Sequence, residues 1–194
     1  EESGKTTSGN TIVFGESSKT YGLINIQSGT SETDKEPVTG TTLEFKQGSV
    51  FDGRILASGA NTTIKGVLGI SGQRNASNEA GAAIFIGNTT SSLTLQDSVF
   101  ADNSITGTDV YGGAIYSYGQ TELKNVTFEG NSIVSTDVNP DKVNNGGIAQ
   151  GAAGGAVMLK GNKDTVFEDV VFTNNSATAN KNETTGGYAY GGAL

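Results

Sequence analysis

Two short motifs alternate along the second half of this 194-residue chain and constrain its fold more than any other feature. One reads Gly-Gly-Ala followed by an aliphatic residue, and the other reads Phe-x-x-Asn. In each of three units the second motif begins 16 to 19 residues after the first. Such self-similarity predicts a repeat architecture in which each unit stacks on the next. The units begin at Gly81, Gly112 and Gly154, and a fourth begins at Gly191.

The residue types within each unit predict short strands and no long helices. The chain has 29 glycines, and glycine costs about 1 kcal/mol relative to alanine inside a helix. Val, Ile, Leu and Phe recur in short clusters bounded by Gly or Asn, a pattern typical of strands. We therefore expect an all-β protein folded as a right-handed, single-stranded parallel β-helix. In this solenoid each coil hydrogen-bonds to the next at a spacing of about 4.8 Å.

Equivalent side chains of successive coils are predicted to form continuous files. Three files point inward and the fourth, of asparagine, follows a strand, where side-chain amides can hydrogen-bond along the file. Glycine pairs permit a positive φ at a tight corner, and the alanine after them fits a narrow interior. The predicted files are Ile84, Ile115 and Val157; Leu95, Leu123 and Phe167; Phe100, Phe128 and Phe172; and Asn103, Asn131 and Asn175.

Degenerate copies of the unit precede the clear repeats and divide the chain into three regions. Residues 1–40 are predicted to form an N-terminal leader and cap with strands near 11–14 and 21–26, residues 41–80 degenerate coils, and residues 81–194 the repeat coils. The last repeat is cut short, which predicts a longer natural protein. The first degenerate copy, Leu43, Phe45, Val50 and Phe51, matches Leu93, Leu95, Val99 and Phe100, with Arg54 in place of asparagine; a second copy has Ile64, Val67, Leu68 and Ile70 as inward positions.

The connectors between the asparagine and the next glycine pair vary in length. They span residues 104–111, 132–153 and 176–190. Insertions in a solenoid usually form loops along one side, which is often the binding face. We therefore expect protruding inter-coil loops there.

Composition excludes several classes of function. The 12 basic and 20 acidic residues are dispersed and give a net charge of −8, whereas a nucleic-acid binder needs a basic face. Cysteine and histidine are absent, which excludes disulfides and thiolate metal sites and removes the commonest general base and zinc ligand. We expect no nucleic-acid partner, no cofactor and no metal centre, and leave open whether loop acids bind calcium.

A polysaccharide-degrading enzyme is the main alternative, because such enzymes need clustered carboxylates on one face. Asp97 and Asp169 have similar phases two coils apart, with Asn125 between them. Two coils correspond to about 10 Å, which is wide even for an inverting pair. We therefore expect no catalytic residues. A purely structural surface-layer or fibre protein is a further alternative.

The ordered pairing of the two motifs over residues 80–194 resembles the repeat of the chlamydial polymorphic membrane proteins and of other bacterial autotransporter passengers. The resemblance implies a β-helical adhesin displayed at the cell surface or secreted, held to the outer membrane only through a C-terminal barrel that this sequence does not include. It implies a host surface protein or glycan as partner, and homotypic association. Two departures are Ala82 in place of the second glycine and the lack of cysteine.

In that family the two tetrapeptides are regarded as adhesion motifs. An inward Phe or Ile cannot touch a receptor without opening the core, so we interpret these residues mainly as the support of an adhesive surface. Carried over to this chain, the motif residues are Gly112, Gly113, Ala114, Ile115, Gly154, Gly155, Ala156, Val157, Phe100, Asn103, Phe128, Asn131, Phe172 and Asn175, together with Gly191–Leu194.

A candidate binding surface combines tyrosines near the glycine corners with polar residues of the longest connector. Exposed tyrosines can stack on sugars or anchor protein contacts, but they can equally pack laterally against neighbouring loops. The candidate residues are Tyr111, Tyr116, Tyr118, Tyr188, Tyr190, Asp137, Asn139 and Asp141.

Overall fold

The structure of the chain is a computed structural model. The structure describes residues 10–26, 40–58, 62–75, 80–136, 151–161, 163–180 and 188–194, with the backbone alone for Leu68, residues 71–75 and Tyr188. This part of the chain is all-β and contains no helix, so the predicted structural class is confirmed.

The strands are short, apart from three of 13 or 16 residues that run through corners of the fold. They are β1 (Thr11–Phe14), β2 (Lys19–Ile26), β3 (Thr42–Ala57), β4 (Thr63–Asn75), β5 (Ile84–Ile86), β6 (Ser92–Gly107), β7 (Val110–Tyr111), β8 (Ile115–Ser117), β9 (Gln120–Glu129), β10 (Ser132–Ser135), β11 (Gly151–Ala153), β12 (Val157–Leu159), β13 (Thr165–Glu168), β14 (Val171–Thr173), β15 (Ser176–Ala179) and β16 (Tyr188–Tyr190).

Every strand pairing in the described part of the chain is parallel, and the pairings arrange the chain in six successive layers. The first segments of the layers, which pair in this order, are 11–14, 42–45, 63–66, 92–95, 120–124 and 165–168. The second segments are 19–21, 50–52, 69–71, 99–101, 127–129 and 171–173. The closing segments of layers one to five are 24–26, 55–57, 84–86, 115–117 and 157–159.

This register confirms the sequence alignment of the degenerate copies with the clear repeats. Through β4, Leu43 aligns with Leu93 and Phe51 with Phe100. The inward positions Ile64 and Ile70 are buried, whereas Val67 is only half-buried. The predicted strands near the N-terminus are present as β1 and β2, which pair with β3 and so form the first layer.

The main hydrophobic core lies among the first, second and closing segments. It contains Leu43, Ile55 and Ile84, each with no exposed surface. Side chains alternate along each strand, so every second residue joins this core and the others face outward. The three predicted inward files are present, since Ile84 pairs with Ile115 and Leu95 with Leu123 in register.

Two extra strand segments widen the third and later layers and enclose a second core. In layers three to six, the first extra segment comprises residues 73–75, 104–107, 132–135 and 176–179, respectively. The second extra segment comprises residues 80, 110–111, 151–153 and 188–190, respectively. The second core contains Ala82, Ile105, Val110, Ile133 and Ala152. We predicted loops for the connectors 104–111, 132–153 and 176–190, and this prediction is wrong where the connectors carry these strands. Residues 137–150 and 181–187 of the connectors lie outside the described residues.

Arg54 marks the boundary between the narrow and the wide layers. In layer two the connection from the second segment to the closing segment consists of Gly53 and Arg54 alone. In layer three the same connection is longer and comprises residues 72–83. The Arg54 side chain is buried and donates hydrogen bonds to the carbonyl oxygens of Gly81 at 2.9 Å and Ala80 at 2.5 Å. It thus connects layer two to the segment of layer three that directly precedes Ala82 of the second core.

Candidate functional site

The phenylalanines of the Phe-x-x-Asn motif form one stacked file inside the main core. The ring centroids of Phe100 and Phe128 are 5.1 Å apart with 15° between the ring planes, and those of Phe128 and Phe172 are 5.1 Å apart with 10°. Phe100 and Phe128 have no exposed surface, while Phe172, in the last layer, is half-buried. The predicted aromatic file is therefore confirmed.

The asparagines of the same motif form a continuous hydrogen-bonded ladder. Asn103 Nδ2 donates to Asn131 Oδ1 at 2.8 Å, and Asn131 Nδ2 donates to Asn175 Oδ1 at 2.9 Å. Each acceptor oxygen also accepts a hydrogen bond from the backbone N–H of the preceding asparagine, which is Asn103 for Asn131 and Asn131 for Asn175. The ladder satisfies polar groups inside the fold, apart from Oδ1 of Asn103 at its first member, and this explains the presence of asparagine at this position.

The residue before each ladder asparagine has left-handed backbone geometry. These residues are Asp102, Gly130 and Asn174, with φ of 54°, 65° and 55°. Gly, Asn and Asp tolerate this region better than other residues, so they form the corner between the second and the extra segments. The corner turns the next side chain inward, which aligns the asparagines.

The two glycines of the other motif act differently. The first has positive φ, which is 62° at Gly112, and a Cβ there would lie 2.1 Å from the carbonyl oxygen of Ile115. The second does not need positive φ; at Gly113 a Cβ would lie 2.0 Å from the carbonyl oxygen of Gly155 in the next layer. The prediction that both glycines serve a positive φ is correct only for the first.

Both motifs thus lie in the interior or at its corners. Ala114, Ile115, Ala156 and Val157 have no exposed surface, and neither have Asn103 and Asn131. Direct contact of these side chains with a partner would require the core to open, at a cost of their burial energy. Exposed outward side chains, such as those of Val99 and Val171, can contact a partner without opening the core.

Among the candidate surface tyrosines, Tyr116 is not available for binding. It is only 5% exposed, because its ring stacks on that of Phe85 one layer above, with centroids 5.5 Å apart. Tyr118 packs edge-on at 5.3 Å and Tyr111 lies at 6.1 Å. Burial, followed by the hydrogen bond with Tyr118, raises the pKa of Tyr116 far above its ordinary value. The lateral packing alternative is therefore the correct one for this residue.

The remaining candidates are only partly brought together. Tyr111 and Tyr118 are half-buried beside Tyr116, and the Lys160 ammonium lies 5.8 Å from the centroid of the Tyr118 ring. Tyr190 is 45% exposed in β16, where it pairs with Ala153, and Tyr188 pairs with Gly151. The loop candidates Asp137, Asn139 and Asp141 lie outside the described residues.

The acids considered for catalysis occupy corners between the first and second segments. Asp97, Asn125 and Asp169 each have a φ between 47° and 53°. Each comes directly after the last paired residue of a first segment, in β6, β9 and β13, respectively. Asn125 Nδ2 donates to Asp97 Oδ1 at 2.6 Å. The need for left-handed geometry explains these residue types without any chemistry. Within the described ranges no group of three or more acidic residues is placed to hold a metal ion.

A polar groove that sequence reasoning missed lies on the outer face of the first segments. Its volume is about 240 Å³, and Glu44, Lys65, Gly66, Thr94 and Gln96 line it. Glu44, Lys65 and Thr94 belong to three successive layers and lie next to one another because of the strand register. They are 21 and 29 residues apart in the chain, so only the register could have revealed them.

Comparisons of the chain with protein-family models, with curated proteins and with solved structures found no match. In the part of the chain that the structure describes, no helix has the length and apolarity to cross a membrane.

Proposed function

We propose that the chain is part of a cell-surface or secreted bacterial adhesin whose body is a right-handed, single-stranded parallel β-helix. The six parallel layers are then successive coils of one tube. Parallel in-register pairing between neighbouring layers supports this architecture. The hand follows from the strong preference of parallel crossover connections for right-handed geometry.

The placement of the repeat motifs carries the functional proposal. Phe128 and Asn131 are buried, so the repeated residues maintain the shape of the tube and the outward residues are free to provide contacts. An elongated scaffold with variable outer faces suits the display of a binding surface. The likeness of the motif pairing to autotransporter passengers adds a host surface protein or glycan as the expected partner.

Binding of the purified chain to cultured host cells, measured by flow cytometry, tests this proposal. We expect saturable binding by the folded chain and none by the heat-unfolded chain. A peptide of residues 112–131, which carries both motifs, is expected not to compete. Competition by the peptide would assign the contacts to the motifs themselves, and absence of binding by the folded chain to any host cell type tested would overturn the adhesive function.

Exposed valines on the outer face of the second segments support self-association as a second property. Val50, Val99 and Val171 are 42%, 47% and 52% exposed and share one outward file. Gly69 and Thr127 lie between the valines in this file. Exposed branched apolar side chains on a sheet face favour packing against another sheet. Light scattering over a range of concentrations should show assembly that the triple replacement of these valines by threonine abolishes; concentration-independent monomers would refute it.

A further inference from the structure

The groove at Gly66 is a polar site on the outer face of the first segments. Gly66 has a φ of 118°, and a Cβ there would lie 2.0 Å from the carbonyl oxygen of Phe45. Only glycine fits this position, so the backbone itself forms the floor of the groove. Side chains of the layer above and the layer below provide its walls.

The groove walls present both hydrogen-bond donors and acceptors. Glu44 provides a carboxylate, and its Oε2 lies 3.6 Å from Lys65 Nζ. Lys46 also pairs with Glu44, and this hydrogen bond is the main cause of the lowered pKa of Glu44, which keeps the carboxylate ionised. Thr94 and Gln96 are exposed and can each donate and accept.

This chemistry selects a ligand rich in hydroxyl groups. Hydroxyls donate to a carboxylate and accept from an ammonium, whereas an apolar ligand would leave these groups without partners. The charges of Glu44 and Lys65 in the lining offset each other, which suits a neutral ligand. The volume of about 240 Å³ is below the roughly 300–1,000 Å³ of sites for drug-sized ligands. A single sugar ring matches both the chemistry and this size.

We infer that the groove of Glu44, Lys65, Gly66, Thr94 and Gln96 binds a neutral monosaccharide unit of a glycan. The inference rests on the proposed adhesive function and names the chemistry of one partner and the place where it binds. The site is shallow and open, so affinity for one sugar ring is weak, and display of many copies on a surface would multiply it.

Saturation-transfer NMR and titration with methyl glycosides of glucose, galactose, mannose and N-acetylglucosamine test this inference on the whole chain. We expect at least one of these sugars to bind. Lys65→Met and Gln96→Ala should each weaken that binding about tenfold, the loss of a hydrogen bond to a ligand. Both side chains are exposed, so the melting temperature should stay unchanged.

Glu122→Ala is the matched control, because Glu122 belongs to the same outward file as Glu44, Lys65 and Thr94 but does not line the groove. It should leave binding unchanged. Absence of binding by all four glycosides, or equal binding by the groove variants and the parent, overturns the inference. If those variants still adhere to cells like the parent, only the groove assignment fails, whereas a parent chain that adheres to no cell refutes the adhesive function independently.

Discussion

The side-chain amide of Asn131 donates to Oδ1 of Asn175, which lies 44 residues further along the chain. The same amide nitrogen also donates to the carbonyl oxygen of Phe100 at 2.9 Å, in the layer above. One side chain therefore connects three successive layers. The asparagine ladder joins the same layers by hydrogen bonds that the stacked phenylalanines join by ring contacts.

Replacement of Asn131 by alanine should destabilise the fold by about 2–4 kcal/mol. It removes the side-chain donor to the carbonyl of Phe100 and the acceptor of the backbone N–H of Asn103. Each buried polar group that loses its partner costs about 1–3 kcal/mol. Urea unfolding at neutral pH measures the effect. Thr94→Ala, at an exposed position, is the control and should change stability by less than about 0.5 kcal/mol. Equal stability of the two variants would show that the ladder contributes nothing.

Gly112→Ala should also destabilise, by about 2 kcal/mol or more, because alanine at a φ of 62° is strained and its Cβ meets the carbonyl of Ile115. Gly15→Ala is the matched substitution at a position where a Cβ would meet nothing within 4 Å. It should be neutral or slightly stabilising, since alanine reduces the entropy of the unfolded chain. Thermal unfolding compares the two, and a neutral Gly112→Ala would contradict the corner geometry.

Arg54→Met should loosen the upper end of the second core. The substitution keeps a long apolar side chain but removes the donors to the carbonyls of Ala80 and Gly81. We expect hydrogen exchange to accelerate at Ala82 and Val110, with little change at Leu43 in the main core. Uniform acceleration over both cores would instead show that Arg54 supports the whole fold, and no change would show that its hydrogen bonds are dispensable.

Tyr116 should make the fold less stable in alkali. Its pKa is raised in the folded state, chiefly by burial, so above the ordinary value of 10.0 the unfolded state loses this proton while the folded state keeps it. The contribution of Tyr116 to the free energy of unfolding is therefore fully present below pH 10.0 and is lost as the pH rises above 10.0. Unfolding free energies from pH 8 to 11 should fall less steeply for Tyr116→Phe than for the parent, and identical slopes would contradict the burial of this hydroxyl.

The sequence was informative wherever residues repeat with constant spacing. Phe100 and Phe128 could be assigned to one file from the repeat alone, because the same residue at the same phase of each unit must stack if the units stack. The strands of the second core escaped prediction because they are short and carry small residues, such as Ala152 and Ala177, that resemble a loop. The adjacent β-branched residues Ile133 and Val134 were the available signal.

Neighbours from other layers explain the rest of what sequence reasoning missed. The burial of Tyr116 depends on Phe85, which lies 31 residues earlier and becomes adjacent only through the register of β5 and β8. The groove at Gly66 depends in the same way on three layers at once. Outward positions follow no motif that recurs in every unit, so their neighbours can be found only from the register.

The direction of the interlayer bonds has a mechanical consequence. Hydrogen bonds such as that from the N–H of Ala114 to the carbonyl of Ala156 run from one layer to the next, along the stacking direction. Tension applied to the two chain ends loads the few bonds of a terminal layer before those of the next, so the molecule should unravel stepwise at low force. A tether of this kind would lengthen under shear while its remaining layers stay folded.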